Sequence, residues 1–390
     1  MSNKPPIEVP QGAIRLNTDS QKLEFFAQDR WYEMATETAS LFGGRVFFVA
    51  GGANKYTQSF NIVTGGTAVD ISIAQLYGVH SPAAVNSKTR GVTMGGRNNP
   101  SPYAERNVIQ FFEFASQGVD MADFGDLTES KGRNSGHGDN TRGISFGRQN
   151  GASNIIEFIT IPSKGNGTDF GDDVGNSNRA TGLSNGTRGI FAGSSEVSPG
   201  NVIRYVTIDS LGNAIDFGDL VQGSRSGLGG AASTTRGVFA GGGASDVEYN
   251  TIDYVTIAST GNATDFGDLN YSKTSGVGGG SNATRCIWWG GNDTPGYSNV
   301  NTICFNTIAT TGNSVDFGDT TVTTSGGSAC PDATRCVMKL GNSGSGSTGF
   351  ANIIEFVQFA TTGNSTDFGD SVLSTLTTSR GTISSAHGGL

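Results

Sequence analysis

The chain has 390 residues and a formal net charge of −9. It has no basic run, which argues against nucleic acid as a partner. No apolar stretch approaches the ~18 residues of a membrane helix, so membrane insertion is not expected. Met1–Pro10 lacks the apolar region of a signal peptide, so folding in a cytosol is expected.

Residues 11–34 read as strand, turn at Asn17–Ser20, strand, turn near Gln28-Asp29, strand. A three-stranded meander of this size buries little surface alone. Residues 1–43 are therefore expected to be a docking or oligomerisation module. They would pack on the rest of the chain, a sister copy or another protein.

From residue 44 onward the chain is periodic. Asp-Phe-Gly-Asp occurs at Asp123–Asp126, Asp169–Asp172, Asp216–Asp219, Asp265–Asp268, Asp316–Asp319 and Asp367–Asp370, at intervals of 46, 47, 49, 51 and 51 residues. Such a period points to a repeat architecture. A Thr-Arg marker precedes each copy, at Arg90, Arg142, Arg188, Arg236, Arg285 and Arg335. A seventh, altered unit lies upstream, with Arg45, Val46–Gly52 and the decayed Asp70-Ile71-Ser72-Ile73. An asparagine is read as opening the second strand of every unit: Asn61, Asn107, Asn154, Asn201, Asn250, Asn301 and Asn352.

One unit shows the strand logic. Gly237–Gly242 is a short apolar run stopped by a double glycine, and Thr251–Ile257 is rich in β-branched and aromatic residues, which suit a pleated surface. Thr260-Gly261-Asn262 is a turn signal. Ala263–Leu269 reads as a third strand and Thr274–Gly280 as a fourth. No segment keeps a helical period. Four short strands in about 50 residues is the size of a β-propeller blade. The fold class is therefore all-β, a seven-bladed β-propeller over residues 44–390. Strand 46–52 is expected to join the C-terminal blade and close the ring, removing the exposed edges of an open array.

The repeated arginines and the aspartates Asp123, Asp169, Asp216, Asp265, Asp316 and Asp367 admit two readings. They are either carboxylates for a metal or acid–base chemistry, or structural partners at turns. A residue present in every unit serves every unit, so the structural role is expected. Only His80, His137 and His387 are histidines. No zinc-ligand spacing occurs, and no glycine pair opens a helix to cradle phosphate. No cofactor, metal or catalytic residue is expected, and an enzyme is disfavoured. Cys286 and Cys336 stand where the other units carry the glycine of Thr-Arg-Gly. A Cys286–Cys304 bridge stays open.

The loops after the double glycine differ in every unit and connect the same pair of strands, so they should crowd one face. Arg97–Arg106 carries Tyr103 and ends at Arg106. Tyr249 and Tyr297 sit in the corresponding loops, with Tyr56 and Phe350 in comparable places. These six residues are the binding candidates, since aromatics there stack on sugars or anchor a protein; the bland alternative is packing over their own loops. Trp288 and Trp289 read as core.

Gly12-x-Ile14-Arg15-x-Asn17-Thr18-Asp19-x-x-x-Leu23-Glu24 followed by Trp31 is similar to a module of tail-fibre and other virion structural proteins of bacteriophages. The repeats, as in Thr307–Asp319, resemble kelch-like repeats of virion proteins from marine and cyanobacterial phages. Ordinary kelch repeats place Tyr and Trp regularly after the double glycine. This chain has Tyr205 and Tyr254 but no regular Trp, so only the term kelch-like applies. The resemblance implies a virion protein made in the host cytoplasm, a tail fibre or adhesin whose loops meet a host surface glycan or envelope protein. It also implies attachment to other virion proteins through residues 1–43, and homo-oligomerisation in the virion. A purely structural head, neck or tail component is the alternative, and a surface-polysaccharide enzyme the third.

Overall fold

Short runs of β-branched and aromatic residues broken by glycine and asparagine make strands, and strands are what the computed structural model contains. It describes residues 10, 12–17, 22–27, 30–33, 45–49, 56–61, 69–74, 79, 81–98, 104–114, 120–148, 154–175, 177–194, 200–244, 247–271, 277–293, 298–342, 352–371 and 382–384. Among these there is no helix. The chain divides into two compact units, Met1–Leu41 and Phe42–Leu390.

In the first unit Ile14–Asn17, Lys22–Ala27 and Arg30–Glu33 pair antiparallel in chain order. Arg15 lies 4.1 Å from the centre of the Trp31 ring and meets Glu24 at 2.8 Å. Ile14 and Leu16 are exposed.

In the second unit each repeat gives a four-stranded antiparallel sheet. One consists of Thr181–Ser184, Arg188–Ala192, Val202–Thr207 and Ile215–Asp219, in that order. The same order recurs over 83–131, 135–172, 229–268, 278–319 and 325–370, with Val315–Pro331 serving as last strand of one sheet and first of the next. Another sheet has the order Thr382–Ser384, Arg45–Val49, Tyr56–Asn61, Val69–Ala74.

Three expectations change here. First, Gly278–Ser281 does not complete the preceding sheet but pairs with Arg285–Trp289 of the next. The reason is a clamped hairpin: the Asn282 side chain accepts the backbone N–H groups of Thr284 and Arg285 at 2.9 and 2.8 Å. Asp139, Asn185 and Asp332 clamp their hairpins the same way. Second, the last repeat has four strands of its own. Strand 45–49 therefore lies not in that sheet but between Thr382–Ser384 and Tyr56–Asn61; the C-terminal segment supplies the strand that the upstream unit lacks. Third, Asn61 does not open its strand but ends it, opposite Arg45.

The core lies between successive sheets. Ile190, Ile203 and Phe217 of one sheet pack with Phe239, Val255 and Ile257 of the next. Trp288 and Trp289 are fully buried; the Trp288 indole N–H donates to Asn306 at 3.0 Å.

Candidate functional site

The repeated charges hold the sheets together. Each marker arginine lies over the aromatic ring of the third strand of its own sheet: Arg90 over Phe111, Arg142 over Phe158, Arg188 over Tyr205, Arg236 over Tyr254, Arg285 over Phe305 and Arg335 over Phe356, at 4.5–5.1 Å. That ring meets the phenylalanine of Asp-Phe-Gly-Asp edge-on, as Tyr205 does Phe217 at 5.8 Å and 87°. The guanidinium then reaches across the seam. Arg90, Arg142, Arg188, Arg236 and Arg285 donate to the backbone carbonyls of Ile161, Ile208, Ile257, Ile308 and Phe359 in the following sheet.

The Asp-Phe-Gly-Asp segment makes the second half of the seam. The first carboxylate accepts the N–H of the glycine two residues on, as Asp169, Asp216, Asp265 and Asp367 do at 2.8–3.0 Å. The backbone N–H of the second aspartate donates to an asparagine in the Gly-Asn turn of the next sheet. Asp172 pairs so with Asn213, Asp219 with Asn262, Asp268 with Asn313 and Asp319 with Asn364. The glycine is in the left-handed half of φ space (Gly218, φ +141°), and a Cβ there would collide with the backbone of Gly261. Asp123 and Asp316 occupy the same place in their strands. The bulge that this glycine makes leaves each sheet's last strand an irregular edge, which resists edge-to-edge pairing.

Asymmetry sits one position away, where sequence reading passed over it. The residue three beyond each strand-opening asparagine is Gln110, Glu157, Arg204, Asp253, Cys304 or Glu355, and all six are buried. Most meet a partner in the link leading from the preceding sheet. Glu157 meets Lys131 at 3.1 Å, Arg204 meets Asp173 at 3.0 Å, and Asp253 pairs with Arg225. Tyr271 packs against the cluster that holds Cys304, and Glu355 accepts Thr321 and Ser365. Burial raises the Asp173 carboxyl above its usual range although Arg204 opposes it, and lowers Arg225 to about 10. The change of sign from Glu157 to Arg204 to Asp253 is visible in the sequence once the strands are aligned, but the partners are not, because they lie in or beside irregular links.

Antiparallel strands alternate direction. The loops between second and third strands therefore leave from the same end as the links between sheets. Six first strands surround a cavity of about 490 Å³ at that end. Ser135, Thr181, Gly229 and Gly278 in its wall pair with the last residues of the second strands, Phe146, Ala192, Ala240 and Trp289. The variable loops thus start at its rim, and Asn292 of one loop lines it. The described lining has no charged side chain. Crowding explains the small residues: a Cβ on Gly279 would meet the backbone of Gly230, and one on Gly230 the side chain of Thr181.

Tyr249 is half-buried in its loop, with its ring 5.9 Å from the Arg225 guanidinium, so it packs over its own link. Arg106 is exposed at the start of Arg106–Glu113. Tyr56 begins Tyr56–Asn61. Tyr103, Tyr297 and Phe350 lie outside the described residues.

Other reactive groups are buried. Cys286, Cys304, Cys330 and Cys336 are free thiols; Cys304 pairs across the sheet with Trp288 rather than with Cys286. Burial pushes the Cys286 and Cys336 thiols up and pulls Lys339 down to about 8. His137 sits 5.2 and 6.1 Å from the Phe146 and Phe191 ring centres, and burial lowers it to about 3.

No known protein family matches the chain, and no curated protein matches it. Among 444 solved chains that resemble the fold is one titled "Structure of YjhT". It is 8% identical, with a TM-score of 0.54, over 71% of this chain and 94% of that one. At that identity the likeness speaks for an all-β fold alone, and a fold so widely used carries no function by itself.

Proposed function

We propose that residues 44–390 form a closed, seven-bladed, kelch-like β-propeller. We further propose that the chain is a bacteriophage virion protein, a tail fibre or adhesin, whose variable-loop face meets the host cell surface. Closure is supported by a cycle of neighbours. First strands 83–86, 135–138, 181–184, 229–232, 278–281, the end of 315–331, and 382–384 each adjoin the next, and 382–384 adjoins 83–86.

The observation that carries the recognition reading is the contrast between the two ends of the sheets. One end is built from near-identical clamped turns of Asp, Asn or Ser followed by x-Thr-Arg. The other bears loops whose sequences differ in every repeat and which leave from strand ends around a cavity. A rigid scaffold that varies only its loops is the usual arrangement for binding. The phage assignment rests on the resemblance of Gly12–Trp31 and Thr307–Asp319. In this reading residues 1–43 attach the protein to other virion proteins or to a sister copy.

The regular end favours a second reading, a structural head, neck or tail component that packs through its uniform face. Immunogold labelling of intact virions with antibody to residues 44–390 separates the two. Label at distal tail or fibre tips is expected. Label over the head or along the tail shaft sinks the adhesin reading.

A further inference from the structure

The wall of the cavity is made largely of backbone turned away from its own sheets. The N–H groups of Ser87, Asp139, Asn185, Ser233, Asn282 and Asp332 close their hairpins by donating to the carbonyl of the marker arginine three residues on. Hydrogen-bonded pairs alternate along an antiparallel ladder. The residue three before each closing residue therefore points its N–H and C=O away from the second strand. These residues are Ala84, Gly136, Gly182, Gly230, Gly279 and Ala329, and all six line the cavity. Among the described residues no protein hydrogen bond reaches the outward groups of Gly136, Gly182, Gly230 or Gly279.

Two side chains at the wall are also short of a partner. Asn134 lines the cavity. Its Nδ2 donates to the Met94 carbonyl and the Ser145 hydroxyl at 3.0 and 2.9 Å, while its buried Oδ1 accepts nothing. Trp289, on another sheet, stands directly behind the wall. A Cβ on Gly278 would collide with its ring, and one on Gly327 would come 3.5 Å from its Nε1. That indole N–H is fully buried and has no acceptor. Buried polar groups are rarely left so.

The chemistry of the wall selects a ligand. Each turned-out residue offers a donor and an acceptor together, so a ring of them suits neither a bare cation nor an anion. The described lining has no charged side chain, so a charged ligand would lose its hydration without gaining a counterion. An apolar ligand would leave the backbone groups unpaired. A hydroxyl both donates and accepts, and meets either group. A sugar ring carries hydroxyls on all sides, as a wall contributed by six sheets requires, whereas a peptide carries its polar groups along a line. The volume of about 490 Å³ lies within the ~300–1,000 Å³ of small-molecule sites.

We propose that this cavity binds a neutral saccharide unit. Its hydroxyls pair with the backbone ring, and with Asn134 Oδ1 and Trp289 Nε1 directly or through a water. The proposal rests on the recognition reading for the use of the site, not for its chemistry. Sugar binding by a protein that labels the tail shaft would sink the adhesin reading and leave this site standing. Label at fibre tips without sugar binding would do the reverse.

The test is an NMR titration of the isotope-labelled full chain with the methyl glycosides of glucose, galactose and mannose, and with those of the matching uronic acids. The chain has three tryptophans, so its indole region holds three signals, and Trp289→Phe identifies the one from Trp289. At least one neutral glycoside is expected to bind with a Kd of ~1 mM or tighter and to move that signal. The matching uronate should bind at least tenfold more weakly. Trp289→Phe keeps an aromatic ring without the N–H and should lose at least threefold in affinity. Binding by none of the neutral glycosides, equal binding of the uronate, or full affinity in Trp289→Phe would each overturn the proposal. If that variant does not fold, the parent's preference between neutral sugar and uronate decides alone.

Discussion

At the scale of single residues, the glycine of Asp-Phe-Gly-Asp leaves least freedom. Gly218 at φ +141° lies against Gly261 of the next sheet. Gly218→Ala meets both strain and a backbone clash; the strain alone is about 1–3 kcal/mol. A drop in Tm of several degrees is expected by calorimetry, with the same result for Gly171→Ala and Gly267→Ala. His137 makes a different prediction. Its folded pKa of about 3 lies below the ordinary histidine value of 6.5, so the neutral form is the stable one. Its contribution is complete above pH 6.5 and is lost as pH falls toward 3. Urea midpoints measured from pH 7 to pH 4 should fall less steeply in His137→Leu than in the parent. Equal slopes would mean that His137 does not govern acid sensitivity.

At the scale of elements, each seam carries one repeated staple and one private pair. The staple is the arginine between an aromatic ring and a carbonyl of the next sheet. Arg188→Ala removes both the stack on Tyr205 and the bond to Ile257, and should cost about 1–3 kcal/mol, read as a lower urea midpoint. The private pair behaves asymmetrically. Asp173→Asn leaves the buried Arg204 charge without its counterion, and breaking such a pair by one partner costs about 3–5 kcal/mol. Replacing both, as Asp173→Leu with Arg204→Met, should recover most of that loss. If the double variant is no better than the single one, the two are not coupled.

At the scale of the molecule, the pairing of Thr382–Ser384 with Arg45–Val49 joins the two ends of the long unit. Removing residues 378–390 would leave strand 45–49 with an unpaired edge, which is an aggregation template. The truncated chain should elute as aggregate on size exclusion and unfold at a lower temperature. Elution unchanged from the parent would argue that the pairing contributes little to stability.

The period of Asp-Phe-Gly-Asp, the strand content and the all-β class were readable from residues alone, because local propensity and glycine-asparagine turns act over a few neighbours. The three strands of residues 14–33 were readable for the same reason. Strand grouping was not. Thr274–Gly280 looks equally at home after Leu269 or before Arg285 in a linear pattern. The choice is made by the hydrogen bonds that close the tight Ser281–Arg285 turn, and this carries over to where strand 45–49 pairs. The private seam pairs and the cavity were hidden for one further reason. The seam pairs join residues 26 to 34 positions apart and the cavity gathers residues from Pro82 to Ala329, so only packing the sheets side by side brings them together.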